Sequence, residues 1–223
     1  MKNLDGLLDI FLITNGRSTF QYALQSLLDQ QDIICNPQII KDLPWLEANL
    51  TIVSRCKSKY FLRVDDDMLL HPKTISFMLK CIKDQDSNIA LRGWRLWEPY
   101  SLKVCKGIKI YNHKLVQMIG FRINELGKID KPFTEDATKQ GFKQVYTDDV
   151  VAIHSCSTFE EHLDYAVKRG EDKGKDFKKE KRWMRNQIGN FNLSLEQQYV
   201  LRTDFLETLN TKKKTDFSRY LKK

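Results

Sequence analysis

With 223 residues, 41% hydrophobic and 30% charged, the chain can bury one sizeable core and is too apolar for disorder over most of its length. No stretch approaches the roughly 18 to 20 apolar residues of a spanning helix, and Met1-Lys2-Asn3-Leu4-Asp5 runs into a strand pattern, not a signal-peptide core; the expectation is a cytoplasmic protein, at most peripheral to a membrane. The net charge of +8 gathers late in the chain, +5 in residues 168–185 and +5 in 212–223 against −2 elsewhere, which suits a polyanionic acceptor, anionic lipid or nucleic acid, or a solvated basic helix face.

Asp9 to Thr14 is a short apolar run closed by Asn15-Gly16, a buried strand ending in a turn. Ser18 or Thr19 can cap the helix that follows, whose apolar residues Phe20, Ala23, Leu24, Leu27 and Leu28 recur at helical spacing up to Gln30. Ile39-Ile40 reads as a second strand. Pro44 to Cys56, with Trp45, Leu46, Leu50 and Val53 on one face, reads as a second helix, and Tyr60 to Val64 as a third strand. Strand, helix, strand, helix, strand opens a parallel α/β sheet. A helix starts at Pro72, and Ile89-Ala90-Leu91 and Ile108 to Tyr111 are further strands on either side of the aromatic segment Trp94 to Tyr100. Residues 121–140 read as a polar loop. Gly141 to Tyr146 and Val150 to His154 give two more strands parted by Thr147-Asp148-Asp149, and a helical tail begins at Phe159. The natural division is residues 1–157 as a catalytic-sized domain and 158–223 as a basic helical extension packed on or near it.

Directly behind the third strand stand Asp65-Asp66-Asp67. Adjacent carboxylates at the end of a buried strand repel one another and are costly to bury unpaired. A hard divalent cation resolves the conflict, and oxygen ligands select Mg²⁺ or Mn²⁺; an acidic surface turn is the plainer alternative. Five cysteines, Cys35, Cys56, Cys81, Cys105 and Cys156, lie far apart with no Cys-x-x-Cys pair, which argues against a zinc ribbon or a disulfide framework and for reduced thiols. Cys156 follows His154 by two residues, but no second ligand pair accompanies them.

The order of these pieces resembles a family 2 glycosyltransferase of the GT-A fold. Ile13 to Arg17 with Ala23 to Gln30 is similar to the family's first strand and helix. Ala48-Asn49-Leu50 through Lys59 to Asp67 is similar to its second signature, ending in the Asp-x-Asp motif. Gly141 to Tyr146 with Val150 to His154 is similar to its closing strands. The resemblance implies a Rossmann-like, mostly parallel mixed sheet flanked by helices, Mn²⁺ or Mg²⁺ as cofactor, and transfer of a sugar from a nucleotide-diphosphate donor to an acceptor hydroxyl on a glycan or lipid-linked molecule. A variant of the same class modifies nucleic-acid bases, and a metal-dependent nucleotidyltransferase is the alternative from another class.

Carried onto this chain, the resemblance implies Asp65, Asp67 and His154 as metal ligands. Thr14, Asn15, Arg17 and Gly107 fall on the donor side, and Asp66 either contacts the ribose or supports the turn. Glu135-Asp136 matches the pair that supplies a catalytic base in relatives. Relatives place a longer helix between that pair and the following glycine, so Asp130 or Asp148-Asp149 is the alternative. Asp42 is the one nearby candidate for reading the nucleotide base, and it equally suits a helix cap. Trp94 and Trp97 offer flat aromatic faces on the acceptor side, although core packing explains them as well.

Overall fold

A computed structural model describes residues 4, 6–98, 103–125, 127–155 and 194–210. In chain order the elements are β1 (Leu8–Thr14), α1 (Phe20–Leu28), β2 (Gln38–Lys41), α2 (Trp45–Arg55), β3 (Tyr60–Asp65), β4 (Met68–Leu70), α3 (Thr74–Ile82), β5 (Ile89–Glu98), β6 (Lys103–Asn112), α4 (His113–Ile119), α5 (Asp130–Lys139), β7 (Lys143–His154) and α6 (Leu195–Asn210). The strands form one sheet in the order β2-β1-β3-β6-β5-β7-β4. Strands β1, β2, β3, β5 and β7 run one way, and β4 and β6 run against them.

Both faces of the sheet are covered, which is why its strands read as near-continuous apolar runs. Along β1, Leu8, Ile10 and Leu12 point into one core with Ala23 and Leu27 of α1 and Ile75, Met78 and Ile82 of α3. Phe11 and Ile13 point into the other, with Ala48 and Ile52 of α2, Val116 of α4 and Phe133 and Ala137 of α5. That second core is aromatic at its centre: Phe61 stacks on Tyr111 at 5.1 Å, and Phe121 and Phe133 meet the Tyr111 ring edge-on at 5.6 and 5.7 Å. Truncating any of these buried rings costs about 3–5 kcal/mol, because the hole cannot fully collapse. Helix α6 closes the first face. Tyr199 packs on Tyr22 at 5.8 Å, Arg202 Nε donates to the Leu70 carbonyl at 3.1 Å, and Ser155 Oγ donates to Gln198 Oε1 at 2.8 Å.

The first three strands and two helices fall where the apolar pattern places them, while the later part departs from it. Residues 121–140 are not all loop, since α5 occupies ten of them. Pro132 sits in its first turn, where a missing N–H costs nothing, and of its side chains only Pro132, Phe133 and Ala137 are buried. The last two expected strands are one, β7. Tyr146 stands opposite Gly93 and Val150 opposite Arg95, so Thr147-Asp148-Asp149 form an irregularity within the strand. Strand β4 and helix α4 are additions. Thr19 holds the N-cap position of α1 without a capping bond, and Pro44, not Asp42, holds that of α2. The helix expected from Phe159, both +5 segments, Tyr100 and Cys156 lie outside the described residues.

Candidate functional site

The strands β1, β3, β5 and β7 are parallel, so their C-terminal ends gather on one edge of the sheet and bring Thr14, Asp65, Glu98 and His154 together there. In open α/β sheets this edge is where ligands bind. A cavity of about 340 Å³ opens on it, lined among others by Trp45, Asp65, Glu98, Gly107, Asp130 and His154.

The acidic run is divided by its geometry. Asp66 is buried and turned toward β1, where its Oδ2 accepts from Thr14 Oγ1 at 2.6 Å and from the Asn15 N–H at 3.3 Å. The Gly16 N–H in turn donates to Thr14 Oγ1 at 3.0 Å, and Gly16 has φ +79°, a conformation glycine adopts without strain. Asp66 thus fastens the β1–α1 turn to the acidic run. Asp67 faces the other way. Its Oδ2 accepts from the Arg17 guanidinium and lies 3.4 Å from His154 Nε2, and its main-chain oxygen accepts from the Ser155 N–H at 2.6 Å. Burial opposes the Asp67 charge, but His154 and Arg17 outweigh it and hold its pKa below the usual range. His154 is also held from behind, with Nδ1 3.2 Å from Glu98 Oε1. Burial again works against its charge, yet Asp67 and Glu98 push its pKa up to about 10. For Asp65, burial dominates and raises the pKa to about 6, with Arg63 opposing and Asp67 and Asp130 adding to the rise.

One observation bears directly on a cation. Asp65 Oδ1 and Asp67 Oδ1 are both buried side-chain oxygens with no hydrogen-bond partner among the described residues. A buried carboxylate oxygen without a donor is costly, and here there are two, one on each end of the Asp-x-Asp pair. An all-oxygen pair joined by an imidazole fits Mn²⁺ or Mg²⁺.

On the far wall of the cavity the polar groups are fully engaged. Arg63, 5% exposed, lies over the Trp45 ring at 4.7 Å, donates to Asn49 Oδ1 at 3.0 Å, and reaches Asp130 at 3.2 Å. Tyr111 donates to Asp130 Oδ1 at 2.6 Å, and Lys109 Nζ donates to Oδ2. Burial would raise the Asp130 pKa, but the two cations hold this carboxylate far below the usual range. Arg63, Lys109 and Glu98 were not anticipated. The signal for Arg63 was present, a cation in the middle of the apolar strand Tyr60-Phe61-Leu62-Arg63-Val64.

Several expected residues fall elsewhere. Trp94 and Trp97 are 0% and 2% exposed, packed into the first core, so neither offers a face to an acceptor. Glu135 and Asp136 do not line the cavity. They lie five and six residues beyond Asp130 on α5, turned away from it by the 100° step of the helix; Glu135 pairs with Lys131 at 3.7 Å and Asp136 with Arg122 at 2.6 Å. Gly107 does line the cavity, and it is glycine for packing, since a Cβ there would stand 2.0 Å from Leu96 Cδ1. Asp42, at the end of β2, has φ +54° and donates its N–H to the Thr14 carbonyl at 3.1 Å.

No protein-family model matches the sequence, and no curated protein matches it. Solved structures match in fold. The mannosyltransferase PcManGT from Pyrobaculum calidifontis, solved with GDP-Man and Mn²⁺, aligns with a TM-score of 0.58 at 11% identity, over 96% of this chain and 78% of its own. TarS from S. aureus aligns at 0.49 and 12% identity over 88% of this chain, which spans 43% of TarS. A glycosyltransferase involved in glycosylation of the major capsid of PBCV-1 aligns at 0.42 and 14% identity, over 71% and 99% of the two chains. The likeness to the mannosyltransferase shows that the covered sheet described above is a GT-A-like fold.

Proposed function

We propose that this protein is a divalent-metal-dependent glycosyltransferase, moving a sugar from a nucleoside-diphosphate donor to an acceptor hydroxyl. The observation that carries the reading is the pair of donorless buried oxygens, Asp65 Oδ1 and Asp67 Oδ1, on the ligand-binding edge of a GT-A-like sheet. The fold likeness to an enzyme solved with GDP-Man and Mn²⁺ supports it.

In this reading Asp65, Asp67 and His154 hold the cation. When bound, a divalent ion there neutralises the negative charge that grows on the departing diphosphate. Arg17, with 46% of its side chain exposed, can turn from Asp67 to a diphosphate oxygen, while the Asn15 and Gly16 amides hold the turn through Asp66 and Thr14. Asp66 keeps the turn in place. Asp130, and not the expected Glu135-Asp136, is the α5 carboxylate on the cavity wall. Arg63, Lys109 and Tyr111 engage both its oxygens and hold its pKa far below the usual range, so it serves as a fixed charge that orients the wall and not as the proton acceptor. A glycan or lipid-linked acceptor meets the cavity from the Lys128–Lys131 side, and the +5 charge in residues 168–185 and again in 212–223 suits an anionic acceptor or surface.

A panel of nucleotide sugars with Mn²⁺ tests this. One of them should release free nucleoside diphosphate slowly even without acceptor, and chelation or Asp67→Ala should stop the release. If no nucleotide sugar is turned over or raises the melting temperature, the reading fails.

A further inference from the structure

We infer that Glu98, Cys105 and His154 form a second cation site, selective for a thiophilic divalent ion such as Zn²⁺, on the wall of the same cavity. Strand β5 lies between β6 and β7 in the sheet. Leu96 pairs with Cys105 across one border and Trp97 with Ile153 across the other, so the registers set Glu98 beside His154 and diagonal to Cys105. The ligand atoms of the three residues all lie within 4.8 Å of one another. Around a tetrahedral zinc, with bonds of about 2.0–2.3 Å, ligand atoms stand roughly 3.2–3.8 Å apart, so at the longest spacing a contraction of about 1 Å closes the site. All three residues line the cavity, which leaves the fourth position facing it.

The donor set decides which ion enters. One sulfur, one imidazole nitrogen and one carboxylate oxygen favour zinc over Mg²⁺ or Mn²⁺, whereas Asp65 and Asp67 offer oxygen alone. Cys105 is a reduced thiol. Cys156, two residues from His154, lies outside the described residues, whereas Cys105 reaches His154 across the one intervening strand, β5.

The two sites meet at His154, whose Nε2 faces Asp67 at 3.4 Å and whose Nδ1 faces Glu98 at 3.2 Å. A neutral imidazole lends one nitrogen to one ion. A zinc ion on the Glu98 side therefore withdraws His154 from the Asp67 side, and Zn²⁺ should inhibit by raising the Mn²⁺ concentration needed for turnover. This last consequence rests on the glycosyltransferase reading; the site itself does not.

The test is titration of the full, metal-free protein with Co²⁺, read by absorption. The expected result is a thiolate-to-cobalt charge-transfer band with the strong visible bands of a tetrahedral ion, bleached by Zn²⁺. Cys105→Ser should abolish the charge-transfer band, and Glu98→Gln should weaken binding by more than the roughly 10–100-fold typical of an outer-shell partner. Asp67→Ala should leave the band in place, which separates this site from the donor site. No band in the unaltered protein, or a band that survives Cys105→Ser, overturns the proposal. If Cys105→Ser does not fold by circular dichroism, Glu98→Gln decides, and unchanged affinity there overturns it equally.

Discussion

Asp67 and Asp130 face the same edge of the sheet, and their surroundings are opposite in kind. Around Asp130, Arg63, Lys109 and Tyr111 supply donors to both carboxylate oxygens. Asp67 has donors for one oxygen and none among the described residues for the other, and the Oδ1 of Asp65 beside it likewise accepts no hydrogen bond among them, with Arg63 Nε 3.8 Å away. A carboxylate with all its lone pairs engaged is a fixed charge that shapes its neighbours. One that is buried with an oxygen to spare is held ready for a ligand, and the stability forgone there is what binding recovers.

The sharpest way to break this contrast is to remove each side in turn. Asp67→Ala should lower turnover of the active nucleotide sugar by roughly 10²–10³ or more, as loss of a charge-stabilising group does. Its effect on the urea midpoint should be the smaller of the two, because Arg17 is half-exposed and His154 keeps Glu98. Arg63→Met should do the reverse. It strips a buried cation from Asp130 and Asp65 together and should cost about 3–5 kcal/mol in urea denaturation, the usual result of breaking a buried ion pair from one side. If Asp67→Ala proves the more destabilising of the two, the division into a ready half and a fixed half is wrong.

The ready half was legible in the sequence, and the fixed half was mostly not. Asp65-Asp66-Asp67 behind an apolar strand, Thr14 to Arg17 and His154 are local signals, each a short motif at the end of a strand, and the structure brings them to one place. Arg63, Lys109, Tyr111 and Asp130 come from β3, β6 and α5 and meet through strand pairing 46 residues apart, Arg63 opposite Lys109. No local pattern encodes that pairing. Helix α5 escaped for a related reason, since it shows the core only Phe133 and Ala137 beyond its opening proline. The tryptophans misled in the opposite direction: aromatic residues suit both a sugar platform and a core, and only the sheet's two-sided burial assigns Trp94 and Trp97 to the core.

Gly107 lies on the cavity wall and gives a smaller test. Its missing Cβ makes room for Leu96, which would otherwise stand 2.0 Å away. Gly107→Ala should therefore destabilise by about 1–3 kcal/mol, the usual cost of overpacking. Combining it with Leu96→Ala should lose less than the sum of the two single changes, since the clash disappears. Additive losses would show that the glycine serves the backbone or a ligand and not the leucine.

The smallest expected effect is a pH profile that assigns one limb to each side of the contrast. Asp130 has a depressed pKa, so its contribution to stability is whole above the unfolded aspartate value of about 3.9 and is lost as the pH falls below it. Asp67 adds to that acid limb in the same direction. His154 is raised to about 10, so its contribution is whole below the unfolded histidine value of about 6.5 and is lost as the pH rises toward 10. Asp65, raised to about 6, binds its proton more tightly folded than unfolded, so stability also declines as the pH rises from about 4 through 6. The metal-free protein should accordingly melt highest between about pH 4 and pH 6. Asp130→Asn should flatten the acid limb and His154→Gln the alkaline one. Saturating Mn²⁺ should remove the alkaline decline, because a cation in place of the shared protons stabilises the ionised carboxylates and the neutral imidazole that high pH favours. A melting temperature that is level from pH 6 to pH 9 in the chelated protein would mean that His154 carries no proton there, and that Asp67 is held by Arg17 alone.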